Sequence, residues 1–280
     1  MKKIINLLLL LFLTTVGTYL VTEYPVYSQT KPNIEQQADF QKHFESLGVN
    51  GSIIIYDRNQ DLFYQHNRDR NNTAFLPAST YKIPNSLIAL ETGVIQNDVN
   101  ILTWDGIERG LADAPIDEWN QDLNMRLAFK YSAVWFYQVL ARKIGHQRMQ
   151  DLVTKISYGN QNIGGKEDID KFWLEGELRI TPRQQIDFLR RLQQNDLPFA
   201  QKNIDLVKDI AIAEETDNYV LRGKTGIATS VTPQIGWYVG YLEQNNNVYF
   251  FATNIDVVND QDIAARLEVT KLCLQDLGLL

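Results

Sequence analysis

The chain has 280 residues, of which 44% are hydrophobic and 22% charged; that balance supplies a sizeable core and excludes a disordered or low-complexity protein. A formal net charge of −7 gives no electrostatic reason to bind nucleic acid, so that class of partner is set aside. The single cysteine, Cys273, rules out an intrachain disulfide and, within an apolar C-terminal stretch, is expected to be a buried thiol.

In chain order, Lys2 and Lys3 precede an apolar run over residues 4–21, and Val26-Tyr27-Ser28 resembles the small-residue pattern before a cleavage site. Residues 1–28 therefore read as a signal peptide that takes the protein to the periplasm, with residues 29–280 as one mature domain and no membrane contact after cleavage. An uncleaved anchor is the alternative, since the run is near the lower limit for a span, although Asn6, Thr14, Thr15, Gly17 and Thr18 weaken it.

Residues 51–57 (GSIIIYD) and 61–66 (DLFYQH) have the β-branched and aromatic character of a hairpin. Residues 219–224, 235–243 and 248–255 read as three more strands, the last two joined at Asn245-Asn246-Asn247. A closing helix is expected over 260–277, with apolar spacing at Ile263, Leu267, Leu272 and Leu274. Between the two groups of strands the periodicity is helical, over 80–91, 122–129, 133–144, 148–156, 181–194 and 204–213. The economical fold class is α+β: an antiparallel sheet built from both chain ends, flanked by helices, with an inserted helical lobe. A cleft between sheet edge and lobe is the natural place for a site.

Ser79-Thr80-Tyr81-Lys82 sets a hydroxyl and an amine three residues apart, on one face of a helix. Pro84 has no amide hydrogen and belongs in a first turn, which keeps the helix start near Ser79 and its hydroxyl at the positive end of the dipole. Taken alone, the tetrad favours a capping serine with a solvated lysine; the same spacing recurs at Ser28 to Lys31, where it carries no meaning. Only three histidines occur, His43, His66 and His146, and there is no GxSxG elbow. A desolvated lysine is an alternative base, because burial lowers its pKa by roughly 3 to 5 units. Two further motifs follow in order: Ser132-Ala133-Val134 between two helical stretches, and Lys224-Thr225-Gly226 at the end of an expected strand.

The three elements together resemble the active-site set of the penicillin-recognising serine enzymes, the β-lactamase and transpeptidase-like fold. Tyr158-Gly159-Asn160, Phe172-Trp173-Leu174-Glu175-Gly176 and Gly236-Trp237-Tyr238-Val239-Gly240 narrow the resemblance to the class D β-lactamases, or oxacillinases. Trp135 departs from the pattern, at a position where many relatives have proline.

The resemblance implies hydrolysis of penicillin-type antibiotics, and hence antibiotic resistance, with a small-molecule β-lactam as partner. It implies Ser79 as nucleophile and Lys82, carboxylated on its nitrogen by carbon dioxide or bicarbonate, as general base for acylation and deacylation. Val134 and Trp173 would line the base, and the Trp173 indole would donate a hydrogen bond to it. The backbone amides of Ser79 and Ile227 would hold the oxyanion, and Ser132 would relay a proton to the leaving nitrogen. Lys224, Thr225 and Arg266 would bind the substrate carboxylate, with Gly226 beside them; Arg266 reads equally as a solvated helix arginine. No metal and no other cofactor is expected. A class A arrangement has Ser-Asp-Asn and a separate glutamate, whereas the middle motif here is Ser132-Ala133-Val134. Two other functions are carried: a β-lactam sensor that stays acylated, for which asparagine would be expected at position 134, and a penicillin-sensitive D-alanyl peptidase. The oligomeric state and the antibiotic spectrum are not set by these motifs.

Overall fold

In the computed structural model the described residues are 34–37, 39–111 and 114–280, all within one compact unit, Asn33–Leu280. The export segment expected over residues 1–28 lies outside them.

A seven-stranded sheet joins the two chain ends. In chain order its strands are β1 (Ile34–Gln37), β2 (Gly51–Asp57), β3 (Leu62–His66), β4 (Ile212–Glu215), β5 (Tyr219–Ala228), β6 (Gln234–Gln244) and β7 (Asn247–Val257). Their order across the sheet is β1-β3-β2-β7-β6-β5-β4. The closure of the two ends is the β2/β7 pair, antiparallel with Ile53 opposite Thr253. All neighbours are antiparallel except the edge strand β1, which runs parallel to β3. The turn between β6 and β7 is Asn245-Asn246, both with positive φ (51° and 58°), the geometry a tight hairpin requires and asparagine tolerates.

The central strands are buried on both faces, so successive residues feed two different cores. Ile54, Tyr56, Phe250 and Ala252 pack toward the helical lobe. Ile53, Ile55, Phe251 and Ile255 pack on the other side, beneath the helices Gln41–Leu47 and Asp262–Asp276. Cys273 is buried there, as its surroundings in sequence suggest. The inward face of the closing helix differs from the expected one. It is built by Ala265, Arg266, Val269, Thr270, Cys273 and Leu274, while Leu267 is 42% exposed. Thr270 reaches the inside because its hydroxyl is satisfied by the Arg266 carbonyl at 2.7 Å and the Thr253 hydroxyl at 2.6 Å.

The lobe is organised around the helix Lys82–Glu91, buried from Lys82 to Leu90; a helix buried on all sides, its polar residues Asn85 and Ser86 included, is central. Several helix bounds shift from the expected ones for local reasons. The helix expected from 122 begins at Met125, since Leu123–Asn124 pairs with Ile101–Leu102 and Asn124 caps the helix by accepting from the Leu127 amide at 2.9 Å. The one expected from 148 starts at His146. The one expected over 204–213 is Gln201–Ile210, and the residues after it become edge strand β4. The helix Pro182–Gln193, expected over 181–194, starts on a reciprocal capping box of Thr181 and Gln184 with proline in its first turn.

Candidate active site

The helix expected from Thr80 begins instead as a 3₁₀ turn, Ala78–Tyr81, and becomes α-helical at Lys82. Ala78 has φ of +48°, a costly value for alanine, and its amide is held by the Trp173 carbonyl at 2.9 Å. The turn thereby points Ser79 into a cleft of about 590 Å³ that Ser132, Val134, Thr225, Gly226, Ile227 and Arg266 also line.

Lys82 is the strongest chemical signal in the molecule. Its side chain is 0% exposed, and its amine lies 2.7 Å from Ser79 Oγ and 5.4 Å from the centre of the Tyr137 ring. Burial, with the charge of Lys224 adding to it, holds its pKa well below the ordinary lysine range. A neutral amine is a nucleophile toward carbon dioxide and a base toward a hydroxyl; an ammonium is neither.

Trp173 is packed against the same turn, its ring stacked on Tyr81 at 5.5 Å. Its indole nitrogen is buried and has no hydrogen-bond partner among the described residues. An orphaned buried donor costs on the order of 1–3 kcal/mol, and a carboxylate on Lys82 is an acceptor that would satisfy one. Stacked on the residue next to Lys82, the indole is a donor of the kind that a carboxylated lysine would need.

The segment that carries Trp173 is closed by the Tyr158-Gly159-Asn160 motif. Asn160 accepts from the Arg179 amide at 3.0 Å, donates through its side chain to the Glu177 carbonyl at 2.9 Å, and donates its amide to the Arg179 carbonyl at 2.8 Å. Gly159 has φ of +55°, and a Cβ there would sit 2.1 Å from the Arg179 carbonyl oxygen. Tyr158 packs edge-on against Tyr81 at 5.5 Å. The motif is a clasp that holds the tryptophan segment on the nucleophile turn.

Ser132 sits between the helices Met125–Lys130 and Val134–Ile144. It occupies the left-handed position just past a helix end, with φ of +61°, where glycine or asparagine is usual. Ser132 N donates to the Phe129 carbonyl at 3.2 Å and Ala133 N to the Ala128 carbonyl at 2.9 Å, so the exposed helix carbonyls are satisfied. From there the Ser132 hydroxyl accepts from Lys224 Nζ at 3.1 Å.

Lys224-Thr225-Gly226 does not end its strand. β5 continues to Ala228, and Gly226 pairs with Trp237 on β6. Glycine is needed because β5 runs along the nucleophile turn: a Cβ at 226 would lie 3.2 Å from the Pro77 oxygen and 3.3 Å from the Ser79 amide nitrogen. Trp237 fastens the same turn from below by donating to the Leu76 carbonyl at 2.9 Å. Lys224 is 4% exposed; burial, then the Arg266 charge, pushes its pKa down to about 7. Arg266 is buried rather than solvated, and its pKa is lowered to about 10 by that burial. The sequence did not single out Trp119, which walls the cleft; only its isolation as a tryptophan in a polar stretch marks it. Among the described residues, no group of three His, Cys, Asp or Glu side chains could hold a metal ion. No helix among them is long and apolar enough to cross a membrane.

Comparison with known proteins places this geometry. Residues 48–275 match the penicillin binding protein transpeptidase domain family. Over 241 residues the chain is 39% identical to β-lactamase OXA-48 of Klebsiella pneumoniae, covering 86% of this chain and 88% of that protein. It is similar to the crystal structure of a class D β-lactamase from Nostoc, at 63% identity and a TM-score of 0.83, covering 86% of this chain and 99% of that one. It is also 36% identical to the regulatory protein BlaR1 of Bacillus licheniformis over 226 residues, which is 80% of this chain and 36% of that protein.

Proposed function

The chain belongs to the penicillin binding protein transpeptidase family and, within it, to the class D β-lactamases, and from that membership we propose how it hydrolyses β-lactams. The reaction proceeds through an acyl-enzyme on Ser79, with Lys82 N-carboxylated. The observation that carries the reading is the sealed Lys82 amine at 2.7 Å from Ser79 Oγ, beside a turn packed against an indole donor with no partner among the described residues.

Ser79 Oγ attacks the lactam carbonyl and gives up its proton on the Lys82 side. The backbone amides of Ser79 and Ile227 receive the developing oxyanion. As the ring C–N bond breaks, Ser132 Oγ protonates the departing nitrogen and is resupplied by Lys224, whose pKa of about 7 suits proton transfer in either direction near neutrality. Lys224, Thr225 and Arg266 present a cationic and hydroxyl-bearing wall to the substrate carboxylate. Trp173 Nε1 would hold the carboxylate on Lys82. When bound, that group supplies a base for the serine proton and then for the water that releases the acyl group.

β-Lactam hydrolysis of this kind confers resistance when the enzyme meets the drug outside the cytoplasm. The basic and apolar start of the chain supports export to the periplasm, with cleavage after Ser28. N-terminal sequencing of the mature protein tests that; a mature chain still beginning near Met1 overturns it.

The function is tested by following penicillin hydrolysis with substrate in large excess, alongside Ser79→Ala. Many turnovers per enzyme, lost in the variant, are expected. One equivalent consumed followed by a stable adduct would instead make the protein a sensor. D-alanyl peptide cleavage at a comparable rate would make it a peptidase.

A further inference from the structure

We propose that Trp135 is a positioning residue for Ser132, acting through Trp119. The inference rests on the acylation reading above, in which the Ser132 hydroxyl must meet the leaving nitrogen.

Ser132 has φ of +61° without being glycine or asparagine, so its conformation is held by its surroundings rather than preferred by its backbone. Two peptide planes flank its Cα, and both are pinned. The plane after it is fixed by Ala133 N donating to the Ala128 carbonyl at 2.9 Å. The plane before it is fixed at both ends: Ser132 N donates to the Phe129 carbonyl at 3.2 Å, and the Tyr131 carbonyl accepts from Trp119 Nε1 at 2.8 Å.

Of these contacts, only the one from Trp119 comes from outside the local helix end. Trp119 lies on a short 3₁₀ turn, Asp117–Trp119, that precedes the helix Met125–Lys130 it braces. Trp135 holds that turn from the helix side: its Nε1 donates to the Trp119 carbonyl at 2.6 Å, beside the turn's own bonds from Trp119 N to the Ile116 carbonyl at 2.9 Å and from Asn120 Nδ2 to the same carbonyl at 3.1 Å, and both tryptophan side chains are buried. The chain of contacts is thus Trp135 to Trp119, Trp119 to Tyr131, and Tyr131 to the peptide that sets the direction of Ser132 Oγ toward Lys224 Nζ, 3.1 Å away. A side chain without an N–H at position 135 cannot make the first link. Misplacement of a reacting group by about 1 Å costs on the order of a hundredfold in rate, so loosening a brace that acts through Trp119 and Tyr131 should cost less.

The test is single-turnover acylation of Ser79 by a penicillin, resolved into Kd and the acylation rate constant, for the wild type, Trp135→Phe, Ser132→Ala and the double variant. The expected result is an acylation rate constant for Trp135→Phe about tenfold lower with Kd unchanged, and less than about a twofold further loss when Ser132 is already alanine. The proposal is overturned by an equal loss in both backgrounds, by no loss, or by an effect on Kd alone, which would make the pair only a wall of the cleft. Absence of acylation in the wild type would instead sink the underlying reading. If Trp135→Phe does not fold, benzothienylalanine at 135 replaces the N–H by sulfur at nearly the same volume, and the same comparison applies.

Discussion

Lys82 Nζ lies 2.7 Å from Ser79 Oγ with the lysine side chain sealed from solvent. Burial there favours the neutral amine, because an ammonium would cost more than the single contact returns. Lys82→Ala should lower the acylation rate by roughly 10²–10⁴-fold, the usual worth of a positioned base, and should slow release of the acyl group as well. Stopped-flow kinetics with mass detection of the acyl-enzyme measures both; rapid turnover of a penicillin by the variant would remove Lys82 from its role.

Trp173→Phe takes away the orphaned indole donor. Without bicarbonate the variant should melt no lower than expected for the lost packing alone, since an unsatisfied donor goes with it. Bicarbonate should raise the melting temperature of the wild type more than that of the variant. An equal response would mean that the indole does not hold the carboxylate.

Lys224 couples stability to pH. Its amine titrates at about 7 in the folded chain and at about 10.4 when unfolded. Between those values the unfolded chain binds more protons, so stability rises with pH; below about 7 the folded state bears the full cost of a buried ammonium. Lys224→Met should therefore stabilise most at about pH 6 and progressively less toward about pH 10. Thermal melts across that range check it, and a gain independent of pH would contradict it.

Gly159→Ala places a Cβ 2.1 Å from the Arg179 carbonyl oxygen at a φ of +55°. The clasp that carries Trp173 must then open, and a loss of about 1–3 kcal/mol is expected. Denaturant unfolding measures it; an unchanged midpoint would show that the clasp is slack.

Much of this was readable in the sequence for physical reasons that are local. The β-branched runs at 51–57 and 248–255 can only be strands, and Thr181-Pro182 with Gln184 can hardly be anything but a helix start. The order of the Ser-Thr-Tyr-Lys, Ser-Ala-Val and Lys-Thr-Gly motifs located the cleft. What escaped depends on tertiary contacts. Thr225-Gly226 looks like a strand end, yet the glycine is there to let β5 pass the nucleophile turn. Thr270 looks solvated, yet hydrogen bonds to the Thr253 hydroxyl on the sheet and to the Arg266 carbonyl within the helix bring it inside. The unpaired Trp173 nitrogen and the left-handed Ser132 have no sequence signature; they exist only once distant segments meet.

The central claim is tested most directly by carbon-13 NMR of the protein in labelled bicarbonate, with Lys82→Ala as control. The account predicts a carbamate resonance in the wild type that is missing from the variant, fades when carbon dioxide is stripped out at mildly acid pH, and returns together with penicillin hydrolysis on adding bicarbonate. Full hydrolysis by an enzyme that shows no carbamate resonance would contradict it.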